Sequence, residues 1–261
     1  MTGATGRTGR AVVEEFLAKD IPVRAIVHLK DVRSAALERQ GVETVVADMF
    51  DPDQLTDAMR GAQRAYYLPF YEPCMIQSAT AFAVAARDAK LEAVVSLGQW
   101  LASLTHPSLS TRRGWLMDQV FSMMPGVAHV RVNAGYFADN YLRLIGYAAH
   151  LGVLPDITGN NKDASPSNED IARVVVTALM DPDKHVGKRY RPTGPALLSV
   201  GEMAEIMGRV IGRKVRRVDL PWWIFRKAAT LPNVGAFLMS GLLVITSKIT
   251  AEGLCFRCAH Q

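Results

Sequence analysis

Apolar positions along the chain switch repeatedly between a helical and an extended period. Over residues 10–19, Val12, Val13, Phe16 and Leu17 recur on one face and predict an amphipathic helix. The run VRAIVH (23–28), directly after Pro22, is short and β-rich and predicts a strand. A helix or turn follows over 31–40, closed by Gly41, then a strand over 44–47. Residues 52–59 read as a helix with Asp51 as N-cap and Pro52 in the first turn. Strands over 65–68 and 93–97 flank a helix over 76–89, and a helix over 116–124 precedes an extended run at 128–132. Further on, the pattern predicts a helix over 168–180 capped by Ser167 or Asn168, a strand over 188–192, a helix over 199–211, a strand over 215–219 and a helix over 222–229. Strands alternating with helices imply an α/β fold with a parallel sheet covered on both faces. The continuous runs VVA, AYYL and AVVSL fit strands buried on both sides.

The chemistry begins at the amino end. TGATGRTGR (2–10) sets Gly3, Gly6 and Gly9 three residues apart at the mouth of the first helix, with Thr5, Arg7 and Thr8 in the same turn. Missing side chains let the backbone turn tightly and bring amide groups close to a pyrophosphate, toward which the helix also directs its free N–H groups. A glycine trio alone is weak evidence; here a helix and a strand follow at βαβ spacing, as in a Rossmann-type, doubly wound domain that binds a dinucleotide. In that topology a strand of about five residues precedes the loop and lies mid-sheet. Only Met1 and Thr2 stand there, so the reading expects a truncated first strand or a misplaced start.

The strand ending in His28 reads the adenosine ribose, where an acidic group suits a 2′-hydroxyl and basic groups suit a 2′-phosphate. His28, Lys30 and Arg33 cluster there, and Asp31 falls past the ribose position, which favours NADP(H) while leaving NAD(H) open. Asp48 and Met49 end the next strand beside the expected adenine. Leu68 and Pro69, with Phe70, close the following one beside the nicotinamide ribose. Ser96, read as ending the strand over 93–97, is a candidate for that ribose.

Bulk properties change the picture little. The length of 261 residues suits one large α/β domain with a small appendage. The net charge of +5 gathers partly in Arg209, Arg213, Lys214, Arg216 and Arg217, without the stacking aromatics of a nucleic-acid surface. Cys74, Cys255 and Cys258 make no disulfide framework, and the apolar run 234–246 is too short to span a bilayer. A cytoplasmic setting without membrane or direct nucleic-acid contact is the default expectation. Cys255-x-x-Cys258 with His260 supplies half a zinc site and lacks a second pair, so no metal is expected. Trp222 and Trp223, beside Pro221, read as packing anchors.

Taken together, TGATGRTGR, VRAIVH, ADMFDPDQL, YYLPF, VVSLG, RVNAGYFADNYL, SNEDIARVVVTALMDP, GKRYRPTGP and IGRKVRRVDLP resemble an NmrA-like protein, an atypical branch of the short-chain dehydrogenase/reductases, over about residues 2–229. The tail from Thr230 does not match that pattern. The resemblance implies a Rossmann domain over 1–133 and 165–195, and a small α+β substrate domain over 134–164 and 196–261. It also implies one of two functions. One is an NAD(P)H-dependent reductase of a quinone-like or conjugated small acceptor. The other is a non-catalytic NADP(H) redox sensor acting through a protein partner. The superfamily's Tyr-x-x-x-Lys pair is absent: no Tyr has a Lys four residues later, and Thr111 and Trp115 stand where the pair would fall. Catalytic residues are therefore unassigned, with His106 and Tyr136 as proton-relay candidates and Arg112 and Arg113 as possible holders of an anionic group.

Overall fold

The structure, a computed structural model, describes residues 1–69, 74–156, 159 and 161–219. Its elements run α1 (Arg7–Leu17), β1 (Arg24–Val27), α2 (Val32–Arg39), β2 (Glu43–Val46), α3 (Pro52–Met59), β3 (Arg64–Tyr67), α4 (Met75–Asp88), β4 (Ala93–Gln99), α5 (Leu109–Ser122) and β5 (Ala128–Ala134). There follow α6 (Ala138–Leu142), α7 (Ile145–Leu151), β6 (Val153–Asp156), β7 (Lys162–Asp163), α8 (Asn168–Met180), α9 (Pro182–His185), β8 (Arg189–Tyr190), β9 (Leu198–Ser199), α10 (Val200–Ile211) and β10 (Arg216–Asp219).

β3, β4, β5 and β8 form one parallel sheet in that order, and β4 pairs with β5 along seven residues. Both faces are covered, because successive strand side chains point to opposite sides. Tyr67 and Val94 pack with Leu55 of α3, Phe82 of α4, and Met117 and Phe121 of α5. Their neighbours Tyr66 and Val95 join Val130, Val132, Val12 of α1 and Ile171 and Val175 of α8 on the other side. A doubly wound α/β architecture follows directly from this alternation.

β1 and β2 pair in parallel as a separate ladder beside β3. Two residues bridge the space between them. The Met1 amine donates to Arg24 O at 2.6 Å and Met1 O accepts from Ile26 N at 2.8 Å, while Thr2 N donates to Tyr66 O at 3.1 Å. Below this bridge a cleft of about 460 Å³ runs between the strands, lined by Ile26, Met59, Ala65, Phe82 and Leu179 among others. Arg24 and Arg64 stand at its rim. Each guanidinium bonds the last carbonyls of a helix: Arg24 takes Ala58 O and Arg60 O at the end of α3, and Arg64 takes Leu179 O and Met180 O at the end of α8.

A smaller core joins Tyr136, Tyr141, Ala148 and Leu154 to Val200, Met203, Ala204 and Val215, and β6 pairs with β10 beside it. Helix starts follow the caps legible in the sequence. Asp51 accepts from Asp53 N and Gln54 N, and Ser167 forms a reciprocal capping box with Asp170. Ser199, expected as the first helical residue, is itself the N-cap of α10.

The long helix that departs most from its expectation is α5. α5 starts at Leu109, seven residues before the expected 116, because the face it buries carries Ser110, Thr111, Gly114 and Asp118, which leave no apolar period to read. The expected helix over 222–229, the apolar run 234–246 and the Cys255, Cys258 and His260 group lie outside the described residues. Among the described residues no helix is long and apolar enough to cross a membrane, and no cluster of metal-ligating side chains occurs.

Candidate functional site

The glycine loop is shaped by contacts only glycine permits. Gly3 has φ +67°, and a Cβ there would lie 2.4 Å from Leu68 Cδ2. A Cβ on Gly9 would lie 2.0 Å from Gly3 O, inside the loop itself. Gly6 is the N-cap of α1 without a side-chain cap, its N–H donating to Gly3 O at 3.0 Å. The loop is anchored from behind: Thr2 Oγ1 accepts from Leu68 N at 2.8 Å and donates to Leu68 O, tying the loop's base to the end of β3. Thr8 is buried and its hydroxyl donates to Asn168 Oδ1 at 2.7 Å, which fastens α1 to α8. Arg7 is exposed at the first turn and Thr5 is half-buried. A backbone cradle at the N-terminus of an eleven-residue helix fits the diphosphate of a dinucleotide.

Beyond the end of β1, His28, Lys30 and Arg33 are exposed. Lys30 Nζ reaches Glu38 Oε1 at 2.9 Å, and Arg33 Nε reaches Asp31 Oδ2 at 2.8 Å. Asp31 is occupied as the N-cap of α2, accepting from Arg33 N and Ser34 N, and the Ser34 amide holds its carboxyl below the ordinary range. It is thus not presented to a ribose hydroxyl, which leaves the basic groups facing solvent there. Asp48 is exposed and accepts from Phe50 N, Met49 and Pro69 are buried, and Leu68 is half-buried against Gly3.

Ser96 requires correction. It lies inside β4, which runs on to Gln99, and it is fully buried with Oγ 2.8 Å from His129 Nε2. Its side chain faces α5 and not the mouth of the sheet, so it makes no ribose contact in this arrangement. Its partner His129 also meets Ser122 Oγ at Nδ1, and burial lowers the ring's pKa to about 3, the Arg131 guanidinium adding to the effect.

The mouth itself is made by the C-terminal ends of β4, β5 and β8, where ligands bind in open parallel sheets. Tyr136, just past β5, is buried and edge-on to Tyr141 with ring centroids 5.0 Å apart. Burial pushes its hydroxyl up to about 12, so it keeps its proton at neutral pH. His106 sits in the loop after β4, half-buried, with Nδ1 accepting from Ser108 N at 3.1 Å. Thr111 is buried on α5 and Trp115 half-buried, while Arg112 is exposed and Arg113 half-buried. The described residues bring neither His106 nor Tyr136 into a hydrogen-bonded relay.

Sequence reasoning missed what holds this mouth in place. Asn133 Nδ2 donates to Gln99 O at 2.8 Å and to Asp118 Oδ2 at 3.2 Å, fixing the end of β4 to β5 and α5. Gly98 makes room for it, since a Cβ there would stand 2.7 Å from Asn133 Nδ2. Asp118 is fully buried, 3.7 Å from the Arg189 guanidinium, and desolvation raises its pKa. Trp100 was also passed over: its backbone N–H donates to Ala134 O, and the Arg191 guanidinium stands 5.5 Å from its ring centroid. The sequence marks these residues only as ordinary polar and aromatic positions beside predicted strand ends.

Comparison with known proteins places this geometry. Residues 3–103 match an NAD(P)H-binding family model. An NAD(P)H azoreductase from Xenophilus azovorans is 29% identical over 221 residues, covering 84% of this chain and 76% of the relative. Quinone oxidoreductase 2 of Escherichia coli is 25% identical over 237 residues, covering 90% of this chain and 81% of the relative. A solved NADPH complex of the Escherichia coli NADPH-dependent quinone oxidoreductase superposes with TM-score 0.81 at 24% identity, covering 97% of this chain and 90% of that one. A mutant NmrA superposes with TM-score 0.72 at 20% identity, over 84% of this chain and 73% of its own. At these identities the two structures establish the shared fold.

Proposed function

We propose, from the chain's resemblance to the NmrA-like branch of the atypical short-chain dehydrogenase/reductases, that it is an NADPH-dependent reductase passing a hydride to a quinone-like or otherwise conjugated small acceptor. The observation that carries the reading is the glycine cradle, whose Gly3 and Gly9 positions admit no Cβ and whose Gly6 opens α1. The names of the azoreductase and quinone oxidoreductase relatives support the acceptor class.

In this reading the amides of the loop Gly3–Gly9, with Thr5, Arg7 and Thr8 in the same turn, hold the diphosphate, and Thr8 acts chiefly by anchoring α1 to α8. His28, Lys30 and Arg33 receive the 2′-phosphate, and Asp48 and Met49 border the adenine. Leu68 and Pro69 border the nicotinamide ribose. Residues 1–133 and 165–195 form the dinucleotide-binding unit. Residues 134–164 and 196–219 belong to the unit that closes over the nicotinamide end, and 220–261, expected from the sequence in the same unit, lie outside the described residues.

The bound cofactor supplies the hydride. The protein aligns the acceptor at the mouth and excludes water from it. Tyr136, buried edge-on to Tyr141 and protonated at neutral pH, joins His106 and solvent as a candidate source of the proton that a reduced quinone takes up.

The test is NADPH consumption with a panel of quinones and of azo and triphenylmethane dyes. Turnover with at least one acceptor is expected. Tight NADPH binding with no turnover on any of them would displace this reading in favour of a redox sensor, the function to which the missing Tyr-x-x-x-Lys pair points.

A further inference from the structure

Helix α10 carries more apolar surface than its core uses. Val200, Met203 and Ala204 are buried with Tyr136, Tyr141 and Leu154 in the smaller core. The helix goes on to Ile206 and Val210, one turn apart, and both stay exposed, Val210 to 79%. Leu142 at the end of α6 and Ile145 at the start of α7 are exposed as well. Scattered singly such side chains would mean little. These four, however, line one cavity of about 300 Å³, together with Met203 and Met207. Such a volume stands at the lower end of the range for small-molecule sites.

The polar side chains of the lining are engaged with one another. Ser165 Oγ donates to Asp163 Oδ2 at 2.6 Å, and the Ser165 side chain also bonds the Tyr141 hydroxyl. A headgroup that needs hydrogen bonds gains nothing here. A hydrocarbon chain gains about fourfold in affinity for each methylene taken out of water, and two unbranched methionines adapt their shape to it. Position is the second observation. Ala138 follows the end of β5 by four residues and Pro195 follows the end of β8 by five, so the cavity lies beyond the same strand ends that make the mouth. Tyr141 belongs to both places, since it lines the cavity and stands edge-on to Tyr136 with ring centroids 5.0 Å apart.

We propose that this cavity holds the aliphatic tail of the acceptor, and that the favoured acceptor is a quinone bearing an alkyl or isoprenoid chain. The quinone ring reaches the mouth beside Tyr136 and Tyr141 while the chain lies between α6 and α10. This rests on the reductase reading for the use made of the site, though not for binding of a chain in it. The lining selects a chain over a second flat ring: among the described lining residues only Tyr141 is aromatic, and its ring is already packed against Tyr136. A protein partner fits less well, because four exposed side chains fall far short of the roughly 800 Å² per partner of a stable interface. No group of the cavity exchanges a proton or electron with the acceptor; it selects.

The experiment uses the full chain in two measurements. The first compares steady-state reduction, at saturating NADPH, of decylubiquinone and of ubiquinone-0, which has the same dimethoxybenzoquinone head without the chain. Burial of three or four methylenes should give decylubiquinone a KM about a hundredfold lower. Ile206→Glu sets a carboxylate at a partly exposed position of the lining. It should raise the decylubiquinone KM about thirtyfold and leave the ubiquinone-0 KM and both kcat values unchanged, while Ile206→Leu behaves as the parent. Val210→Glu, at the most exposed position, repeats the test should Ile206→Glu lower the Tm. The second measurement displaces the neutral fluorescent probe N-phenyl-1-naphthylamine from the NADPH-loaded protein with farnesol, a neutral chain that accepts no hydride. Farnesol affinity should fall about thirtyfold in Ile206→Glu. If neither quinone is reduced but farnesol binds in an Ile206-dependent way, the reductase reading fails and the chain site stands. If the glutamate variants shift both KM values equally or neither, or bind farnesol as well as the parent, the chain site is overturned. A parent dimer that Ile206→Glu dissociates and that takes up no farnesol overturns it too, the face then being a contact between copies.

Discussion

At the scale of single residues, Gly6 and Gly9 do different work although both belong to one motif. Gly6 has φ −85°, which any residue adopts, and a Cβ there meets only Gly3 O at 3.3 Å. Gly6→Asp should therefore keep the fold while placing a carboxylate where the diphosphate belongs, and calorimetry should show loss of NADPH binding with an almost unchanged Tm. NADPH affinity equal to the parent's would remove the loop assignment. Gly9→Ala drives a methyl into Gly3 O and should lower both affinity and Tm. His129 is a second case. Its pKa is depressed in the fold to about 3 from the ordinary 6.5, so the unfolded chain binds the extra proton between those values. The contribution is intact above about pH 6.5 and is lost as pH falls toward 3, on the order of 5 kcal/mol in total. Asp118, raised by burial, works in the opposite sense, losing stability as pH rises. His129→Gln keeps a partner for Ser96 and Ser122 without titrating, so its urea-unfolding free energy should change less between pH 7 and pH 4.5 than the parent's. Parallel pH profiles would show that the ring is not responsible.

At the scale of elements, two arginines end helices that the sequence ends less sharply. Arg64 donates to Leu179 O and Met180 O at the close of α8, so Arg64→Met keeps the stem and removes the cap. A loss of about 1 kcal/mol is expected by chemical denaturation, and an unchanged midpoint would mean that water replaces the guanidinium without cost. Elements of this kind explain what the sequence shows and hides. α1, α3, α4, α8 and α10 were legible because their buried faces are largely apolar, and the starts of α3 and α8 also because Asp51 and Ser167 cap them. The first two turns of α5 were hidden by a buried face of Ser110, Thr111 and Gly114, and the short α6, α7 and β7 carry too few residues for a period. Within the site, the glycine loop announced itself through spacing. Ser96 was misplaced because a strand boundary two residues off turns a mouth residue into an interior one. Trp100, Arg191 and the Asn133–Asp118 bond carry no local signature, since only the parallel register of three strands brings them together.

At the scale of the whole molecule, the sheet is unevenly knit. β4 and β5 are laddered along seven residues, whereas Met1 and Thr2 carry the ladder from β1 across to β3 beside a cleft of about 460 Å³. The flank beyond that bridge holds β1, α2 and β2 around a small cluster of Val13, Val23, Ala25, Leu37 and Val42. Such a flank has the makings of a separate opening unit, released at lower free energy than the centre. Deuterium uptake should therefore reach the amides of β1 and β2 well before those of β4 and β5; equal protection would show that the protein opens only as one piece. The same flank carries His28 and Lys30, so a dinucleotide spanning from the glycine loop to those side chains would clasp the two parts together. NADPH should then slow exchange in the flank more than NADH does, making the loosest margin of the molecule a gauge of which nucleotide it holds.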